Sequence, residues 1–82
     1  MRVMVECHGP LADLCGGLEQ AVEGLMPGAD VAEVLAALAA RVPDIAETLR
    51  YTAVARGDVL VSRAEPVWDG DRLALIPPVS GG

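Results

Sequence analysis

The residues best suited to chemistry close the 82-residue chain: Ile76-Pro77-Pro78-Val79-Ser80-Gly81-Gly82, where an apolar run meets two prolines and no charged side chain follows. Proline cannot donate to a β-ladder, and a Pro-Pro step favours an extended polyproline conformation, so this segment is expected to leave the body of the domain and project into solvent. At about 3.3 Å per residue, the six residues after Ile76 reach about 20 Å. Ser80, Gly81 and Gly82 are small enough to thread a narrow channel in a partner and deliver a carboxylate to a buried site. Glycine has no Cβ to obstruct ATP or a nucleophile there. Ordering such an end costs roughly 1 to 2 kcal/mol per residue, which partner contacts must offset.

Other chemistry-bearing residues carry weaker signals. Cys7, His8 and Cys15 are the soft ligands of the chain, but their spacing lacks the paired C-x2-C pattern of a zinc site. Cys7 is expected in the core, Cys15 as a loop thiol and His8 exposed on a strand; a redox pair requires the two thiols to meet, and neither has an evident neighbour to lower its pKa. Arg56-Gly57-Asp58 reads as a turn, and Asp69 and Asp71 read as turn residues flanking Gly70. The single tyrosine and tryptophan, Tyr51 and Trp68, suit either a partner contact or the edge of the core. None of these groups forms a hydrolytic or nucleophilic constellation.

Composition narrows the classes. With 12 acidic and 6 basic side chains the formal charge is −6, which favours a basic partner surface. All the cations are arginines, at positions 2, 41, 50, 56, 63 and 72, scattered where a nucleic-acid binder needs a concentrated stripe. Nucleic acid is therefore not an expected partner. No apolar run approaches the roughly 18 to 20 residues of a membrane span, and the N-terminus lacks a signal-peptide pattern, so no membrane partner and a cytoplasmic location are expected. Two cysteines are too few for a disulfide-stapled secreted scaffold. A chain of this length supports one domain of about 4 to 12 kcal/mol stability.

The elements that must position the chain end follow from periodicity. Arg2 to His8 alternates, with Val3, Val5 and Cys7 on one side, as a half-buried strand does. Gly9-Pro10 stops it, a short loop follows, and after Gly16-Gly17 a second strand is expected over Leu18–Leu25 with Leu18 and Val22 inward. Asp30 and Glu33 form a variant capping box. Val31, Val34, Leu35, Leu38 and Val42 then make one helical stripe, ended by Pro43, which can itself open a short helical turn through Ile45 and Leu49. Strands are expected over Thr52–Arg56, Val59–Val61 and Arg72–Ile76. The order β-β-α-β-β-β predicts an α+β domain, a mixed sheet with one main helix on one face. It covers residues 1–76, with residues 77–82 as a flexible tail.

The ending Asp69-Gly70-Asp71-Arg72-Leu73-Ala74-Leu75-Ile76-Pro77-Pro78-Val79-Ser80-Gly81-Gly82 resembles that of the MoaD/ThiS family of ubiquitin-like sulfur carriers, at its molybdopterin synthase small-subunit branch. The element order extends the resemblance over essentially the whole chain. It implies a β-grasp fold that holds no permanent cofactor and is not an enzyme on its own. By the same resemblance Gly82 is adenylated by an E1-like enzyme using ATP and converted to a thiocarboxylate. Gly81 lets the end pass through a channel, and Pro77, Pro78, Val79 and Ser80 form the stalk. The implied partners are that adenylating enzyme, a sulfur donor such as a cysteine desulfurase or rhodanese-like protein, and the large subunit of molybdopterin synthase. Carriage for thiamine, cysteine or thiolated-RNA synthesis, or conjugation to lysines as a modifier, are the alternatives. The family's usual aromatic residue near the end of the first strand is absent from Cys7-His8-Gly9-Pro10-Leu11-Ala12-Asp13, and Arg56-Gly57-Asp58 replaces its common Asn-Gly turn.

Overall fold

The computed structural model describes residues 1–78. Alternation of apolar and polar residues produces β1 (Val3–Cys7), whose Val3, Val5 and Cys7 are buried. The segment expected to be a loop is a short helix, α1 (Pro10–Cys15), with Leu11 and Cys15 inward. Pro10 at its first turn fits because its missing N–H would have been unpaired there in any case. Gly16 closes the helix in the left-handed conformation, φ 80°, which a glycine adopts at little steric cost.

The second strand is shorter than the periodicity suggested: β2 is Glu19–Val22. Val22 points inward as expected, but Leu18 is 70% exposed. The buried side chains of the segment between β1 and β2 are Leu11 and Cys15 of α1, not Leu18, which precedes β2.

Helix α2 (Val31–Arg41) follows, and the Asp30 carboxylate accepts the Glu33 amide at 3.0 Å, the expected cap. Val31, Val34, Leu35 and Leu38 are buried and Val42 packs against them. At Val42 the backbone leaves helical geometry ahead of Pro43, as the steric demand of a following proline requires. A 3-10 turn (Pro43–Ile45) and the one-turn α3 (Ala46–Leu49) bury Ile45 and Leu49, in keeping with the expected helical turn.

β3 (Ala53–Arg56), β4 (Val59–Val61) and β5 (Arg72–Ile76) complete a five-stranded sheet in the order β2-β1-β5-β3-β4. β1 and β5 are parallel and the other neighbours antiparallel. The first and last strands of the chain therefore lie side by side near the centre. The irregular stretch between β4 and β5 has a role of its own. The Arg63 and Glu65 carbonyls accept the Ala32 and Val31 amides at 2.9 Å each, pairing groups that the start of any helix leaves free.

Candidate functional site

Strand β5 alternates with Leu73 and Leu75 buried, so Arg72, Ala74 and Ile76 face away from α2. The last pair of the β1:β5 ladder is Cys7 with Leu75, and the last of β3:β5 is Ala53 with Ile76. Pro77 is thus the first residue past both ladders, and without an N–H it cannot extend either. It is half-buried and Pro78 is exposed. Gly9 packs beside it: a Cβ built on Gly9 would sit 3.7 Å from Pro77 Cγ. Gly9 has φ 57° and ψ −134°, a conformation that side-chain-bearing residues rarely adopt.

Beside this point of departure lies an apolar face. One cross-strand row runs Glu19, Glu6, Ala74, Ala55, Leu60 over all five strands, passing from acidic on β2 to apolar on β4. Leu60 is 67% exposed and Ile76 44%, and Ala53 stands next to Ile76. At the acidic end Arg72 Nη1 donates to Glu6 Oε2 at 2.9 Å and to Glu19 Oε2, while His8 Nε2 lies 3.3 Å from Glu6 Oε1. The hydrogen bond from Arg72, then that from His8, holds the Glu6 carboxyl below its ordinary range. Hydrogen bonding to Glu19 and then to Glu6 raises the Arg72 guanidinium above its own. The arrangement suits docking: an apolar surface bordered at one end by paired charges, with Pro77 and Pro78 just past the last ladder pairs at its edge.

The other residues flagged in the sequence find defined places. The Arg56 turn is structural, for Arg56 donates to Asp71 through Nε at 3.2 Å and Nη2 at 2.8 Å, to Glu65 Oε2 at 3.2 Å, and to the Pro66 carbonyl at 2.8 Å. Burial would raise the Asp71 carboxyl, yet Arg56 and the amides of Trp68 and Arg72 prevail and hold it low. Asp69 Oδ1 accepts the Arg2 amide at 2.8 Å, so both acids are turn residues as expected. Trp68 and Tyr51 are 65% and 63% exposed, which removes the core-edge reading for both. His8 is exposed just past β1. Cys15 is not a loop thiol but a buried helix residue whose Sγ lies 2.7 Å from that of Cys7. Among the described residues no three metal-ligating side chains converge. Nor is any helix long and apolar enough to cross a membrane.

The expected stalk and reactive end divide here. Pro77 and Pro78 lie just beyond β5, whereas Val79, Ser80, Gly81 and Gly82 lie outside the described residues. The open apolar face of the sheet is not legible in the sequence. Alternation sets Glu6 on the side of the first strand opposite Val3, Val5 and Cys7, but nothing in the sequence tells which strands are neighbours.

Comparison with known proteins resolves the family. The model of the ThiS family matches residues 9–82, almost the entire chain. The chain belongs to the ThiS family. Its likeness extends to solved structures: SAMP1 of Haloferax volcanii superimposes with a TM-score of 0.88 at 27% identity, covering 100% of both chains. A Pyrococcus furiosus chain described as molybdopterin converting factor subunit 1 gives 0.85 at 25% identity over 96% of this chain and 99% of the other. The complex of subunits 1 and 2 of the Helicobacter pylori molybdopterin-converting factor supplies a match of 0.67 at 29% identity, covering 100% of each chain. The fold is accordingly the ubiquitin-like β-grasp, and the chain is a ThiS/MoaD-type sulfur carrier or ubiquitin-like modifier.

Proposed function

We propose that this ThiS-family chain is a sulfur carrier for molybdenum cofactor biosynthesis whose Gly82 is adenylated and then converted to a thiocarboxylate. The observation that carries the reading is the position of Pro77-Pro78, directly beyond β5 and beside an exposed apolar face, in a chain whose family match runs through Gly82. A carboxylate is a poor electrophile, and adenylation gives it a good leaving group. A donor persulfide can then displace AMP to give an acyl disulfide, and a second donor thiol attacks its donor-side sulfur, leaving a thiocarboxylate on a slender arm and a disulfide on the donor. ATP and the catalytic acid and base belong to an E1-like adenylating enzyme, and the sulfur comes from a cysteine desulfurase or rhodanese-like donor.

The large subunit of molybdopterin synthase is the proposed acceptor. The Helicobacter pylori structure, a complex of subunits 1 and 2, supports a partner of that kind. The face around Ile76, Ala53 and Leu60 would seat it while Val79, Ser80 and Gly81 carry the reactive end inward. The setting proposed for this exchange is the cytoplasm.

Intact-mass measurement after incubation with the activating enzyme, ATP and a sulfur donor tests the reading. Replacement of one oxygen by sulfur at Gly82 is expected, and deletion of Gly82 should abolish it while leaving the thermal transition unchanged. Sulfur loading that survived the deletion would contradict the mechanism. The likeness to SAMP1, whose name in full is small archaeal modifier protein 1, favours protein modification as a second reading. Lysine-linked adducts in place of sulfur loading would select it.

A further inference from the structure

Cys7 and Cys15 are left unused by sulfur carriage, yet the fold brings them together. Cys7 ends β1 and Cys15 ends α1, their Sγ atoms are 2.7 Å apart, and they are 0% and 6% exposed. Both sit on regular elements within the main core cluster. A disulfide sets its sulfurs about 2 Å apart, so only a small movement separates this dithiol from a bond. We propose that Cys7 and Cys15 form a reversible intramolecular disulfide that ties the last turn of α1 to the end of β1.

The oxidant is a low-molecular-weight disulfide of the glutathione class. Cys15, beside Gly16-Gly17 and the less enclosed of the two, attacks as thiolate on one sulfur of the oxidant. This forms a mixed disulfide and expels one small thiolate. The Cys7 sulfur then attacks the Cys15 sulfur and expels the second. The protein dithiol loses two electrons and two protons; the oxidant gains both electrons, and its two thiolates take up the protons. Burial and the neighbouring Cys15 thiol push Cys7 up to about 12, so exchange is slow in the closed fold and fastest during refolding. The bond would close the loop from Cys7 to Cys15 and hold the last turn of α1 to the end of β1, the strand that pairs with β5. This proposal stands whether or not the chain carries sulfur.

The test refolds the full chain in reduced or in oxidised glutathione, then alkylates free thiols and measures intact mass and peptide maps. Oxidised samples should be monomers lighter by two hydrogen atoms, resistant to alkylation, with one peptide linking Cys7 to Cys15. Their melting midpoint should lie about 5 to 15 °C above that of the reduced protein, and dithiothreitol should reverse every change. Cys15→Ala should abolish the linkage and the shift. If that variant does not fold, the peptide map of the parent chain decides alone. Two alkylatable thiols after oxidative refolding would overturn the proposal, as would products limited to glutathione adducts or cross-linked dimers. A bond that left the midpoint unchanged would overturn its role as a tie.

Discussion

Arg56 illustrates how one side chain can organise a region that has no regular structure. Its guanidinium holds Asp71 through two nitrogens and also reaches Glu65 and the Pro66 carbonyl, with 29% of the Arg56 side chain and 14% of that of Asp71 exposed. Replacing it with alanine leaves Asp71 largely enclosed without its cation. A loss of about 1 to 3 kcal/mol is expected in denaturant titrations, and Arg56→Lys should recover only part because a single ammonium cannot form the two-nitrogen contact. The Asp71 carboxyl is held below its ordinary value, so its contribution is complete at neutral pH and disappears as pH falls through the lowered value. Asp71→Asn should flatten that acid limb of the stability profile. The opposite sign holds for Cys7, raised to about 12: the reduced protein should lose stability as pH climbs beyond the ordinary thiol range, and Cys7→Ala should not show that decline. Turn chemistry made Asp69 and Asp71 legible from the sequence, and alternation did the same for Cys7. Cys15 was not, although Pro10 followed by inward Leu11 and Cys15 at helical spacing was a usable sign of α1. What no pattern carried was the pairing of Arg56 with Asp71, fifteen positions along the chain.

Among the elements, α2 was the easiest to read, because cap, stripe and terminating proline agreed with one another. Asp30→Ala should cost about 1 kcal/mol by removing the bond to the Glu33 amide. Leu38→Ala should cost about 2 to 5 kcal/mol, since the side chain is fully buried and its loss leaves a cavity. Both values are measurable by urea titration, and the second is a large part of what a domain this small can possess. The strands were legible in number and in half of their ends, but not in their order: a period of two says which side of a strand is apolar and nothing about its neighbour. The parallel pairing of β1 with β5 is set by long-range packing, and it is what aligns Gly9 with Pro77. Gly9→Ala should therefore destabilise by about 1 to 3 kcal/mol through its backbone angles and not through collision, because the added Cβ would meet Pro77 at ordinary contact distance.

At the scale of the molecule, the two faces of the sheet divide the work: one is covered by α2, while the other stays open around Ile76 and Leu60. Ile76→Asp and Leu60→Asp should weaken capture by a large subunit at least tenfold in a binding titration, with little change in the melting midpoint, because neither side chain belongs to the buried core cluster. Unchanged affinity in both would remove that face from the interface. The parallel arrangement of β1 and β5 also gives the domain a mechanical character. A force drawn through residues 77 and 78 against the N-terminus slides β5 lengthwise between β1 and β3, loading their hydrogen bonds together as a shear joint. Traction applied across the β4 edge would instead peel the sheet one bond at a time. Traction on residues 77 and 78 must thus load the centre of the sheet in one event, a direction that resists more than the β4 edge does.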